Sequence, residues 1–202
     1  MASEESKKNR IMEFSFKKFT TLGIQHVTMD EISRGVGIGK GTLYKYFPSK
    51  EVLLLSTISH FAGHMENTIQ EIMDNEEITP IEKLKIIFKN LAQRFSKVNP
   101  AAVAYLEHSM PEAYEKIISV RERIIMTSII KLLEDGKKCG HFDAEMDPYV
   151  VANILIGAVN HMINPEILPS FKCTLDQLYN SIISVILLGC LTEEGRKLVN
   201  NE

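Results

Sequence analysis

An all-α fold is what the sequence predicts, and three observations carry the prediction. Apolar residues recur at helical spacing along most of the chain, capping signatures open most of these stretches, and no strand pattern with a hairpin turn occurs. With 202 residues, 45% hydrophobic and 24% charged, the chain is too apolar to stay disordered and long enough to bury a sizeable core.

The first helix is expected over about residues 3–22, where Ile11, Phe14, Phe19 and Leu22 share helical spacing and Gly23 supplies a stop. Thr28-Met29-Asp30-Glu31 reads as a capping box, in which hydroxyl and carboxylate each accept a backbone N–H that the first helical turn leaves open. It opens a short helix to about Gly35. Gly37-Ile38-Gly39 forces a tight turn, and a second short helix runs from Lys40 to Phe47 before Pro48-Ser49 breaks it. Ser49 caps a long helix from Lys50 to about Asp74. Thr79-Pro80-Ile81-Glu82, Asn99-Pro100, Asp147-Pro148 and Thr174 with Gln177 are further starts. They predict helices near 80–97, 100–109, 112–137, 148–163, 175–191 and 193–200, with Asp135-Gly136 and Cys139-Gly140 closing the one over 112–137. No repeat or low-complexity linker intervenes, so two functional parts are expected to share a continuous helix.

Composition excludes several classes. The apolar stretch Val185–Leu191 is far too short to span a bilayer, and the charged N-terminus lacks a signal-peptide core, which predicts a cytoplasmic chain without membrane partners. Three cysteines, Cys139, Cys173 and Cys190, form no CxxC pair and argue against a disulfide framework. Net charge is −3, yet residues 1–50 carry a balance of +4 and residues 51–202 one of −7. A basic end that faces a polyanion would produce this asymmetry, as would chance clustering. His60 and His64 are spaced i, i+4 like two metal ligands, but no Cys or carboxylate pattern accompanies them, and plain surface or core imidazoles are the expectation. Cys139-Gly140-His141 is too short to define a site. No metal or cofactor is called for, and no nucleophile–base pairing, phosphate loop or paired carboxylate motif supports catalysis.

Two short helices joined by a glycine-bearing three-residue turn fit a helix-turn-helix. On the second, Lys40, Thr42, Tyr44, Lys45 and Tyr46 are polar, Leu43 and Phe47 lie four apart and can pack inward, and Gly41 leaves room for a close backbone approach. A three-helix lump with a solvated face satisfies the spacing equally well. The segment Thr28-Met29-Asp30-Glu31-Ile32-Ser33, followed by Val36 through Glu51 with its Gly-Thr-Leu-Tyr-x-Tyr-Phe-x-x-Lys string, closely resembles the DNA-binding domain of TetR-family transcriptional regulators. Ile11, Phe19 and Gly23 extend the resemblance into the first helix. It covers about the first 50 residues, and beyond them the helical layout and total length agree.

The resemblance implies a helix-turn-helix domain over residues 1–50 and a ligand-binding and dimerisation domain over 51–202. It implies that Thr28 caps its helix and touches a phosphate, and that Lys40, Gly41 and Thr42 meet base edges and adjacent phosphates. Tyr44 and Tyr46 would brace phosphates or thymine methyls, with one face of Tyr44 also on the domain core. Lys45 would project between them, and Lys50 would bind a phosphate. Independently of the resemblance, the charge run from Ser3 to Arg10 reads as a solvated helix start, and attraction of Lys7, Lys8 and Arg10 to DNA is the alternative. Gly39 stands where the family often has Ser, and Gly41 adds backbone entropy, so a recognition helix partly ordered by DNA is expected. Ser15 replaces a small apolar residue.

The helices over 148–163 and 175–191 are apolar around more than one face, beyond what a monomer's surface helix needs. Deep burial in one subunit or a twofold four-helix bundle of the family's kind would explain this. The second implies an interface of Val151, Ile154, Leu155, Ala158, Leu178, Ile182, Val185 and Ile186, and an inverted-repeat operator in double-stranded DNA. A small hydrophobic or amphipathic effector is expected against Phe61, Met65, Phe88, Leu91, Phe95, Tyr105, His108, Met110, Tyr114 and Ile118, each of which also serves as ordinary core. The expected function is a homodimeric, ligand-responsive regulator, most simply a repressor. The alternatives are a helical small-molecule-binding protein and an activator without effector-controlled repression.

Overall fold

The computed structural model describes residues 4–95, 100–162, 166–167 and 170–200. Its helices are α1 (Glu4–Leu22), α2 (Met29–Val36), α3 (Lys40–Tyr46), α4 (Lys50–Asp74), α5 (Pro80–Phe95), α6 (Pro100–Ser109), α7 (Pro111–Ile124), α8 (Ile130–Lys138), α9 (Pro148–Met162), α10 (Leu175–Cys190) and α11 (Glu193–Asn200). A 3-10 turn, Ile24–His26, precedes α2, and the described residues hold no strand beyond an isolated bridge between Phe142 and Leu191. No described helix is long and apolar enough to cross a membrane.

The expected starts are made by the expected atoms. Glu31 N–H donates to Thr28 Oγ1 at 3.2 Å while Thr28 N–H donates to Glu31 Oε2 at 2.8 Å, and Thr79 with Glu82 repeats this at 3.3 and 2.7 Å. Gln177 closes the same box on Thr174, Asp147 Oδ1 accepts from Tyr149 N–H, and Ser49 Oγ accepts from Val52 N–H. The Asn99 start falls outside the described residues. Hydrogen bonds from Thr28 and Thr79 hold the Glu31 and Glu82 carboxyls below the usual carboxylate range. A lowered carboxyl stabilises the folded chain at neutral pH, and that contribution disappears as acid protonates it.

Two expectations need correction. The helix predicted over 112–137 begins at Pro111, runs to Lys138 and is interrupted by a π-helical turn at Ile125–Ile129 that separates α7 from α8. Gly136 does not end it. That glycine is buried inside α8, where a Cβ would come within 2.5 Å of the Phe142 ring, so its role is close packing. The chain turns instead at Gly140, with φ +75°.

Packing divides the chain into two compact units. The first comprises α1 to α3, α4 up to Met65, α6 and the start of α7 to Ile117. Its core gathers Ile11 and Phe19 of α1, Ile32 and Val36 of α2, Leu43 of α3, Phe47, and Leu53 and Leu54 of α4, and it is completed by Ala102 and Leu106 of α6 and Ala113 of α7. Ser15 is fully buried and satisfied, its hydroxyl donating to the Ile11 carbonyl at 2.7 Å. The turn between α2 and α3 needs Gly37. Its φ of 73° is left-handed, and it lets Ile38 N–H reach the Ser33 carbonyl at 3.0 Å and close α2. In the second unit α10 packs on α5 and α9, and α5 on α8, around Leu84, Ile87, Ile125, Leu133, Leu155 and Tyr179.

α1 crosses α2 at Gly35, where an added Cβ would stand 2.0 Å from Phe14 Cζ. Gly35→Ala is expected to force the Phe14 ring aside and to destabilise the chain by about 1–3 kcal/mol, read as a lowered urea midpoint with an unchanged denaturant slope.

Candidate nucleic-acid interface

The chain enters α3 through Gly39 in extended backbone (φ −68°, ψ 147°) with no side-chain cap. Thr42 and Leu43 N–H both donate to the Gly39 carbonyl, at 3.0 and 3.1 Å. Leu43 is fully buried and Phe47 nearly so, and this sets the rotation of the helix. Lys40, Gly41, Thr42, Tyr44 and Lys45 are therefore all exposed. The two tyrosines differ from expectation. Tyr46, three positions from Leu43, lies half-buried on the core, whereas Tyr44 is 46% exposed. The physical reason is phase: positions i+3 and i+4 from a buried residue share its face, and i+1 is rotated about 100° away.

The electrostatics hold three features the sequence did not announce. Lys40 Nζ forms an ion pair with Asp30 across the turn. Lys8 of α1 places its ammonium 5.8 Å from the centroid of the Tyr46 ring. The Arg10 guanidinium donates to the Val36 carbonyl at the end of α2, which makes Arg10 a structural tie as well as part of the charged start of α1. Lys50 is half-buried, and burial holds its ammonium below the usual lysine range against the opposing pull of Glu51 and Glu31. The Thr28 hydroxyl is engaged in its box, also donating to Glu31 Oε2 at 2.9 Å.

The ten positions expected to contact an effector fall in both units. In the first, Phe61 stacks on Phe16 with centroids 3.8 Å apart, and Tyr105, Met110 and Tyr114 pack against the core. Met65 is half-buried on α4, and His108 is exposed, its Nδ1–H donating to the Ala104 carbonyl at 3.0 Å. In the second, Phe88 and Leu91 are buried and Ile118 half-buried, while the Phe95 side chain lies outside the described residues. Of the nine with described side chains, Phe88 lines the groove of about 520 Å³ between α5 and α10, where Leu84, Ile183 and Leu187 supply apolar walls and Lys85 and Lys89 cationic ones. Sequence reasoning also missed a polar network inside the second unit. Arg121 donates to Asn160 Oδ1, and the Asn160 amide donates to Glu122 at 2.9 Å. Nearby, burial pushes the Tyr179 phenol up despite Arg121. Asn160, one of two asparagines within the apolar 148–163 stretch, was the available signal.

The eight expected interface positions divide. Val151, Leu155, Leu178 and Ile182 are buried within the chain, where α9 and α10 pack on each other. Ile154 and Val185 are exposed at 54% and 76%, and Ala158 and Ile186 are half-buried. Tyr149, Val150 and Leu188 extend the exposed apolar surface.

Known proteins share this geometry. A family model described as bacterial regulatory proteins of the tetR family matches residues 11–57, and one described as the C-terminal region of YsiA-like proteins matches residues 58–189. The uncharacterized HTH-type transcriptional regulator YvaF of Bacillus subtilis is 23% identical over 187 residues, covering 92% of this chain and 96% of the relative. The fatty acid metabolism regulator protein of the same organism is 22% identical over 192 residues, covering 94% and 98%. Among solved structures, that of the regulator FadR from Bacillus subtilis in complex with stearoyl-CoA superposes with a TM-score of 0.62 at 19% identity, covering 90% of this chain and 98% of the other.

The start of α3 can be strengthened by design. A Cβ at Gly39 would meet nothing closer than Thr42 Oγ1 at 4.0 Å, and one at Gly41 would meet nothing within 4 Å. Gly39→Ser should add the missing cap and a few tenths of a kcal/mol, and Gly41→Ala roughly 0.5–1 kcal/mol, both read as raised urea midpoints of the free protein.

Proposed function

Because the chain belongs to the TetR family of bacterial transcriptional regulators, we propose that it is a ligand-responsive repressor that binds an inverted-repeat operator as a homodimer. The observation that carries the reading is the rotation of α3, with Leu43 and Phe47 inward and Lys40, Gly41, Thr42, Tyr44 and Lys45 outward. In this reading α3 enters the major groove, Lys40, Gly41 and Thr42 meet base edges and adjacent phosphates, and Tyr44 braces the backbone. Tyr46 acts by positioning, since it is packed on the core and carries Lys8 beside it. Lys50 and the first turn of α2, opened by Thr28, receive phosphates. Lys40 exchanges Asp30 for the duplex, at low cost because a surface ion pair is worth about 0–1 kcal/mol.

A second copy of the chain would cover the exposed apolar surface of Tyr149, Val150, Ile154, Val185 and Leu188. The effector we propose is an amphipathic molecule with a long acyl chain, an acyl-CoA thioester being the first to test. Two relatives, a fatty acid metabolism regulator and a regulator in complex with stearoyl-CoA, support this class by their names. The apolar groove flanked by Lys85 and Lys89 has the composition to hold such a molecule.

Fluorescence anisotropy with DNA from upstream of the protein's own gene is expected to show tight binding that weakens steeply with salt. Tyr44→Ala should weaken it, and Lys50→Ala should reduce the magnitude of the log–log salt slope by about 1. Gly41→Ala, although more stable, should bind less well because its methyl group stands where the backbone approaches DNA. Stearoyl-CoA should release the DNA while free CoA should not, and sedimentation should give a dimer. Absent or salt-independent DNA binding, or a monomer at micromolar concentration, would refute the reading.

A further inference from the structure

α4 carries two histidines one turn apart, and the function proposed above uses neither. His60 and His64 bring their Nε2 atoms to 3.2 Å, with rings inclined at 80° and centroids 4.5 Å apart. Imidazole nitrogens bind Zn2+ at about 2.0–2.1 Å, so two ligands at a tetrahedral angle on one ion stand about 3.3 Å from each other. The pair therefore already has the separation of a chelate. Its spacing is fixed by the continuous backbone of a 25-residue helix. His60 is supported at its edge by the Phe61 ring, whose centroid is 5.5 Å away, and Phe61 is itself stacked on Phe16 of α1. His64 is exposed, which gives the pair an opening to solvent.

We infer that His60 and His64 form an exchangeable site for a divalent transition-metal ion that favours nitrogen ligands, such as Cu2+, Ni2+ or Zn2+. In the metal-free chain the two Nε2 atoms lie at hydrogen-bond distance from each other. On binding, both Nε2 lone pairs turn to the metal and the ring protons reside on Nδ1. No group of three or more His, Cys, Asp or Glu suited to a metal occurs among the described residues, so water completes the coordination shell and the ion exchanges freely. The carboxylate of Glu13 on α1 acts electrostatically on His60 and favours a dication there. Because the clamped turn also holds Phe61, a bound ion stabilises the docking of α4 on α1 by mass action.

Titration of the full-length protein with Cu2+ alone, followed by electron paramagnetic resonance, tests the assignment. One ion per chain with two equatorial nitrogens is expected, and His64→Ala, at an exposed position, should lose the two-nitrogen signature. Zn2+ alone should raise the thermal midpoint of the parent protein and leave that of His64→Ala unmoved. A copper spectrum with fewer than two nitrogens in the parent, a spectrum unchanged by His64→Ala, or an equal Zn2+ response in both proteins would overturn it.

Discussion

A helix of seven residues cannot sustain itself in water, and α3 is less favoured than most because it lacks a side-chain cap and contains Gly41. What holds it is the burial of Leu43, backed by Phe47 immediately beyond its end. Those two contacts also determine everything the helix shows to the outside. With Leu43 fully buried, the turn of the helix leaves Lys40, Thr42, Tyr44 and Lys45 no direction but outward. Gly37 makes this possible from the other side, because its left-handed conformation lets the chain close α2 and begin α3 within three residues.

The surface so presented is less simply basic than its composition implies. Asp30, Glu31 and Glu51 stand among its lysines. Asp30 pairs with Lys40, Glu31 closes a capping box, and Glu51 accompanies the start of α4. These arrangements are cheap to rearrange at an exposed surface, because solvent screens them and the side chains lose freedom in holding them. The cations that cannot rearrange cheaply are those committed to the scaffold. Arg10 ties α1 to the last carbonyls of α2, and Lys50 is held close to the protein by partial burial.

Helix starts were legible because a capping box is written within four residues: Thr28 with Glu31, Thr79 with Glu82 and Thr174 with Gln177 each contain all their partners. The outward face of α3 was legible for a similar reason, since two apolar residues four apart define an inside. Features that depend on residues far apart in the chain were not. Gly136 reads as a stop until Phe142 is seen above it, and Arg10 reads as a free cation until Val36 is found beside it. For α9 and α10, apolar on several faces, the sequence held no information on which stripe turns inward, so Val151 and Leu155 were indistinguishable from Ile154. The histidine pair stood at an intermediate level: its spacing was visible, its separation of 3.2 Å was not.

The participation of Ala102, Leu106 and Ala113 in the core around α1 to α3 bears on how such a regulator can be recombined. A chimera joined once, after the helix-turn-helix, would transplant the recognition residues but leave behind three of the side chains that complete the core beneath them. An exchange that preserves the unit needs three splices, one inside α4, one between α5 and α6 and one inside α7, so that the α6 segment travels with its host.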